Sequence, residues 1–102
     1  PENTTGLEVV SFEIGVNEQN KNYFLYTVKN MTNSVMEVLF VDVYFLDATG
    51  KILRTEGLYI GQHDGAVRLI QPDEEVEGGV AGGSPRPSET VKILIYNRRT
   101  WR

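Results

Sequence analysis

Residues 38–46, Val-Leu-Phe-Val-Asp-Val-Tyr-Phe-Leu, constrain the fold more than any other stretch of the chain. In an extended backbone, successive side chains point to opposite faces. Leu39, Val41, Val43 and Phe45 then share one face, and Val38, Phe40, Asp42, Tyr44 and Leu46 share the other. A strand that is apolar on both faces is central in its sheet or covered on each side. The period is two, and no helical stripe competes with it.

The same period recurs on either side. Val10, Phe12, Ile14 and Val16 alternate with Ser11, Glu13 and Gly15. Residues 23–29 are almost wholly β-favouring. Residues 90–97 place Val91, Ile93 and Ile95 on one face, and Lys92, Leu94 and Tyr96 on the other. Turn chemistry separates the runs: the polar stretch 17–22, the Asn/Ser-rich stretch 30–34, and Asp47-Ala48-Thr49-Gly50, an Asp…Gly hairpin signal. Gly61 and Gly65 bound a loop, residues 66–70 form a short strand, and the Pro85-Arg86-Pro87 segment cannot be a central strand. The spacing predicts an all-β chain: a seven-stranded antiparallel Greek-key sandwich of the immunoglobulin-like kind. One domain spans residues 1–102, with its core at about 7–97 and a basic tail at 98–102.

Size and composition are compatible with that fold. A chain of 102 residues buries roughly 60–70% of its unfolded surface, enough for one core without staples. None are available, because there is no cysteine; disulfides, thiolate metal sites and cysteine nucleophiles are excluded together. Net charge is −4, and three of the ten basic residues, Arg98, Arg99 and Arg102, lie in the last five positions. Residues 1–97 therefore carry seven basic against fourteen acidic groups, a net −7. Such a body is a poor partner for nucleic acid or for an anionic membrane surface. The chain begins at Pro1, and the expectation is a processed form whose leader or lipid anchor lies upstream.

Chemistry-bearing constellations are sparse. The single histidine, His63, sits beside Asp64 in a loop, with no nucleophile in a suitable context, so it reads as a solvated loop residue. Asp73, Glu74, Glu75 and Glu77 crowd one segment without the spacing of a calcium loop, and read as a solvated acidic turn. Gly78, Gly79, Gly82 and Gly83 lack the Lys-Ser/Thr of a phosphate-binding loop. Bare backbone there serves either internal packing at a sheet edge or an edge that accepts a partner strand. Five tyrosines serve ordinary sheet packing or, in an exposed row, a sugar. Trp101 among Arg98, Arg99 and Arg102 is a cap or a binding tail. Asn3 and Asn30 open Asn-x-Thr sequons, and Asn30 reads as a turn residue. No cofactor motif is present, and no enzyme is expected.

The Asn30 turn, followed by a long strand ending Phe45-Leu46-Asp47-Ala48-Thr49-Gly50-Lys51-Ile52, resembles a core shared by several bacterial envelope sandwich domains. With Val67-Arg68-Leu69-Ile70, Gly79-Val80-Ala81, Ser84-Pro85-Arg86-Pro87 and residues 90–95, the chain is similar to YcfL-like periplasmic lipoproteins over about residues 7–96. FxLYD domains are the second resemblance, over residues 28–53. The chain departs from the YcfL-like pattern at the mid-domain tryptophan, where Tyr59 stands in, and at the extra Gly82-Gly83. The resemblance implies a non-catalytic binding or scaffolding domain in the bacterial periplasm or envelope, held to the membrane only by an upstream lipid anchor. Its partner would be another envelope protein or itself. The partner-binding candidates are Gly78, Gly79, Gly82, Gly83, Arg98, Arg99 and Trp101. Two alternatives stay open: a carbohydrate- or calcium-binding accessory module, and a homo-oligomer paired through residues 78–83 or the final strand.

Overall fold

The computed structural model describes residues 6–61 and 64–98. Among them are eight strands and no helix: β1 (Leu7–Val16), β2 (Asn22–Asn30), β3 (Met36–Val38), β4 (Phe40–Leu46), β5 (Ile52–Tyr59), β6 (Arg68–Ile70), β7 (Glu75–Ala81) and β8 (Lys92–Arg98). All pairings are antiparallel. One sheet has the order β1-β2-β7, a second the order β5-β4-β8, and β3 pairs with β6 in a short third. The two three-stranded sheets pack face to face, as a β-sandwich does.

Phe24, Tyr26 and Val28 of β2 face Val41, Val43 and Phe45 of β4, with Ile93 and Ile95 of β8 completing the core. The Phe24 and Phe45 rings meet across the two sheets at 5.2 Å between centroids. β4 is the central strand of its sheet, which explains its apolar character on both faces.

The long apolar run is nonetheless two strands, which is why there are eight rather than the expected seven. At Leu39 the chain changes partners: β3 pairs with β6, and β4 with β5 and β8. The Leu39 carbonyl accepts from the Ile60 amide at 2.8 Å, a bond that bridges the change. The first strand also differs from simple alternation. Its register with β2 shifts between Val9 and Ser11, the mark of a bulge. The bulge turns Leu7 and Val9 inward alongside Phe12 and Ile14, and leaves Val10 48% exposed. Val16, at the strand end, is 58% exposed.

Two hairpin turns are built alike. Asn17 Oδ1 accepts from the Gln19 and Lys21 amides, both at 3.0 Å. Asp47 Oδ1 accepts from the Thr49 and Lys51 amides at 2.8 and 3.0 Å. Each turn then places one residue at positive φ, Asn20 at 62° and Gly50 at 87°. Among the described residues no helix is long and apolar enough to cross a membrane.

Candidate functional site

Two buried polar side chains invite the question of a site, and both are consumed by the fold. Asn30 is 0% exposed. Its Nδ2 donates to the carbonyls of Ser34 and Ile70, both at 2.8 Å, and its Oδ1 accepts from the Thr32 amide and hydroxyl. It is the last residue of β2, opposite Leu7, not a turn residue as expected; its side chain holds the turn that follows and cross-links β2 to β6. An amide nitrogen held by two carbonyls in the interior offers no position for a glycan in the folded chain.

Arg86 is 5% exposed. It forks onto Glu56 (Nε to Oε1 at 3.2 Å, Nη2 to Oε2 at 2.7 Å) and donates from Nη1 to the Gly82 carbonyl at 3.0 Å. Glu56 points inward from β5, on the face of its register partner Val43. The pair pins the connection between β7 and β8 to the opposite sheet. Breaking one member of such a buried pair costs about 3–5 kcal/mol. The sequence signal was faint: one arginine between two prolines.

The glycine candidates lie on β7 and in the turn after it. Gly78 faces inward opposite Tyr26, and a Cβ there would overlap the Tyr26 ring. A Cβ on Gly79 would come within 2.6 Å of Leu25 Cδ2. The bare backbone is thus roofed by cross-strand neighbours. Gly82 and Gly83 follow at φ 98° and 81°. They are tied to β2 by Gly82 N–H to the Asn22 carbonyl at 2.6 Å and Asn22 Nδ2 to the Gly83 carbonyl at 2.9 Å.

Arg98 belongs to the other sheet. It ends β8, pairs with Asp42 on β4, lies 6.0 Å from the Phe40 ring centroid, and covers Gly57 on β5. The hydrogen bond to Asp42 raises the guanidinium pKa above its usual value. Around it stand two edge-to-face ring pairs, Phe40–Tyr59 and Tyr44–Tyr96, each 5.4 Å between centroids. The structure therefore does not gather the five described candidates: Gly78 and Gly79 are on β7, Gly82 and Gly83 in the turn after it, and Arg98 on β8 of the other sheet. Arg99 and Trp101 lie outside the described residues, as do His63 and Asn3.

The acidic segment is likewise dispersed. Asp73 occupies a turn at φ 65°, Glu74 Oε1 accepts from the Gln71 amide at 2.8 Å, and Glu75 and Glu77 are exposed along β7. Among the described residues no group of three or more His, Cys, Asp or Glu side chains is placed to hold a metal ion.

The four edges of the two three-stranded sheets differ in a way the sequence did not announce. β7 carries exposed Glu75 and Glu77, β5 carries the inward Arg54 and Glu56, and β1 carries the Val10 bulge. Outward and inward charges and bulges all discourage a further strand. β8 has none of these between its ends: Ile93-Leu94-Ile95-Tyr96 runs in unbroken register with β4. Beside it, between β8 and β1, opens a cleft of about 680 Å³ lined by Glu8, Val10, Phe12, Val91, Lys92 and Leu94 among others. Among the described residues no backbone ladder joins β1 to β8, although the two strands lie close together.

No family model matches the sequence, and no curated protein matches it. Among solved structures, the chain is similar to Campylobacter jejuni cj0090, at a TM-score of 0.41 and 16% identity, covering 86% of this chain and 81% of that one. A likeness at that level identifies neither a family nor a function.

Proposed function

We propose that the chain is a non-catalytic binding or scaffolding domain of a bacterial envelope protein, with an immunoglobulin-like Greek-key topology. The observation that carries it is how the buried polar groups are used. Asn30 and Arg86 are both satisfied within the fold, and the cleft lined by β1 and the start of β8 brings together no acid–base or nucleophilic set: its charged side chains are Glu8 and Lys92. A catalytic site needs convergent donors, acids or bases, whereas a binding domain needs a shaped edge or face. The strand orders β1-β2-β7 and β5-β4-β8 support the immunoglobulin-like topology. The resemblance to YcfL-like lipoproteins supports the envelope.

Fractionation of the source cells tests this reading. Immunodetection is expected to place the chain in the periplasmic or membrane fraction, within a native assembly larger than the chain alone. A monomer confined to the cytosol would end it. One observation favours a second reading, a carbohydrate-binding module: Phe40, Tyr44, Tyr59 and Tyr96 share the outer face of β5-β4-β8 around Arg98 and Asp42. Calorimetric titration with glycans decides that reading, and no heat removes it.

A further inference from the structure

The outer face of β5-β4-β8 sets aromatic rings and a charged pair in a fixed order. Strand pairing places Tyr59, Phe40 and Arg98 in one row across the sheet, Gly57, Asp42 and Tyr96 in the next, and Tyr44 in the third. Rows are two residues apart, so at about 3.3 Å per residue Phe40 and Tyr44 stand about 13 Å apart on β4, with Asp42 midway. The Phe40–Tyr59 and Tyr44–Tyr96 pairs thus mark two ends of the face, and the Arg98–Asp42 ion pair lies between them. Ring planes cross at 67° in the first pair and 65° in the second, so each pair forms a corner and not a flat platform. The face is accessible: Tyr59 is 47% exposed, and the Arg98 and Asp42 side chains are 37% and 32% exposed.

Gly57 makes room for the middle of this arrangement. A Cβ there would stand 2.7 Å from Arg98 Nη2, so the guanidinium reaches across β4 and lies over bare β5 backbone. On the way, Nε donates to Asp42 Oδ1 at 3.1 Å. Donor N–H groups and acceptor carboxylate oxygens are therefore presented side by side, and their charges cancel. A chain of net charge −4 also repels acidic polymers. Apolar ring corners separated by a neutral set of donors and acceptors match sugars, whose rings carry C–H groups on their faces and hydroxyls at their rims. We propose that this face binds a neutral, linear oligosaccharide at two points, one sugar in each ring corner, with Arg98 and Asp42 bonding to hydroxyls between them, so that it selects for chain length. The proposal rests on the carbohydrate reading above and adds charge, shape and length to it. Stacking uses ring faces, so the interactions that Tyr59 and Tyr96 already make need not break.

The test is calorimetric titration of the whole chain with two neutral series, β-1,4-linked glucose and β-1,4-linked N-acetylglucosamine, each from the dimer to the hexamer. In at least one series, affinity is expected to rise about tenfold once the oligomer is long enough to reach the second corner, the scale of one further stacked ring. Tyr44→Ala and Tyr59→Ala each remove one corner, and each is expected to flatten that rise while leaving the dimer within about twofold of wild type. Gly57→Ala displaces the guanidinium, the far end of a flexible side chain, and is expected to weaken every length alike. Cooperative thermal unfolding of all three variants is the accompanying check that the fold is kept. Affinity that does not change with length overturns the proposal and retains the carbohydrate reading, whereas no heat from either series removes both. Tighter binding of an acidic oligogalacturonate would overturn the neutral occupant. Tighter binding of a proline-rich peptide than of any sugar would assign the face to a protein and overturn the proposal as well.

Discussion

Asp47 and Asn17 do the same work with different chemistry. Each side-chain oxygen collects the amides of the residues two and four positions on. The Asp47 carboxylate also accepts from the Thr49 hydroxyl at 2.6 Å, and this bond first, then the amide of Lys51, holds its pKa below the ordinary 3.8. A carboxylate whose pKa falls on folding stabilises the fold above its unfolded value and loses that contribution as pH drops through the folded one. The stabilising charge of Asp47 is thus complete near neutrality and lost below about pH 4. Asp47→Asn keeps the turn geometry that Asn17 uses, so the gap in urea midpoint between wild type and variant is expected to shrink as pH falls from 6 to 2.5. A gap that stays constant over that range would mean the charge contributes nothing. The Asp…Gly turn was legible in the sequence because the chemistry is local. Its twin was equally local, since Asn17, Asn20 and Lys21 repeat the positions of Asp47, Gly50 and Lys51. The second role of Asn30 was not legible, because its partner Ile70 is forty residues away and only the fold brings them together.

At the level of strands, β7 shows how an edge with two glycines survives. Tyr26 lies over Gly78 and Leu25 over Gly79, so the missing side chains are replaced from the neighbouring strand. The two positions are not equivalent. Tyr26 is buried in the core, whereas Leu25 is 47% exposed and free to swing aside. Gly78→Ala is expected to cost about 1–3 kcal/mol, because a packed ring must move. Gly79→Ala is expected to stay within about 0.5 kcal/mol of wild type. Thermal unfolding followed by circular dichroism reads the difference as roughly 4–8 °C per kcal/mol in a chain this size. Equal effects would show that the Tyr26 roof is not what Gly78 serves. The alternation that revealed β4 and β8 is a property of one strand, so the sequence carried it. The Val10 bulge and the break at Leu39 are properties of pairing. A bulge needs only one residue without a partner, and no residue type at Val10 announces it. The Leu39 break arises because the strand is shared between two neighbours, which depends on where β6 lies.

At the scale of the whole fold, two three-stranded sheets share one core with the short β3-β6 pair beside them among the described residues. Charge, inward side chains and a bulge mark the edge strands β7, β5 and β1, while β8 lies close against β1. The all-β character and the antiparallel pairing followed from the period of the sequence. The approach of β1 to β8 could not, because it belongs to no one segment: it arises only when the two sheets come together. Amide hydrogen exchange of the free chain, resolved residue by residue, measures this most directly. The central strands β2 and β4 are expected to be protected along their whole length. Within Lys92–Arg98, slow and fast amides are expected to alternate, the slow ones facing β4. Uniform protection along β8, or no protection in β4, would contradict the sandwich in which β4 is central and β8 pairs on one side.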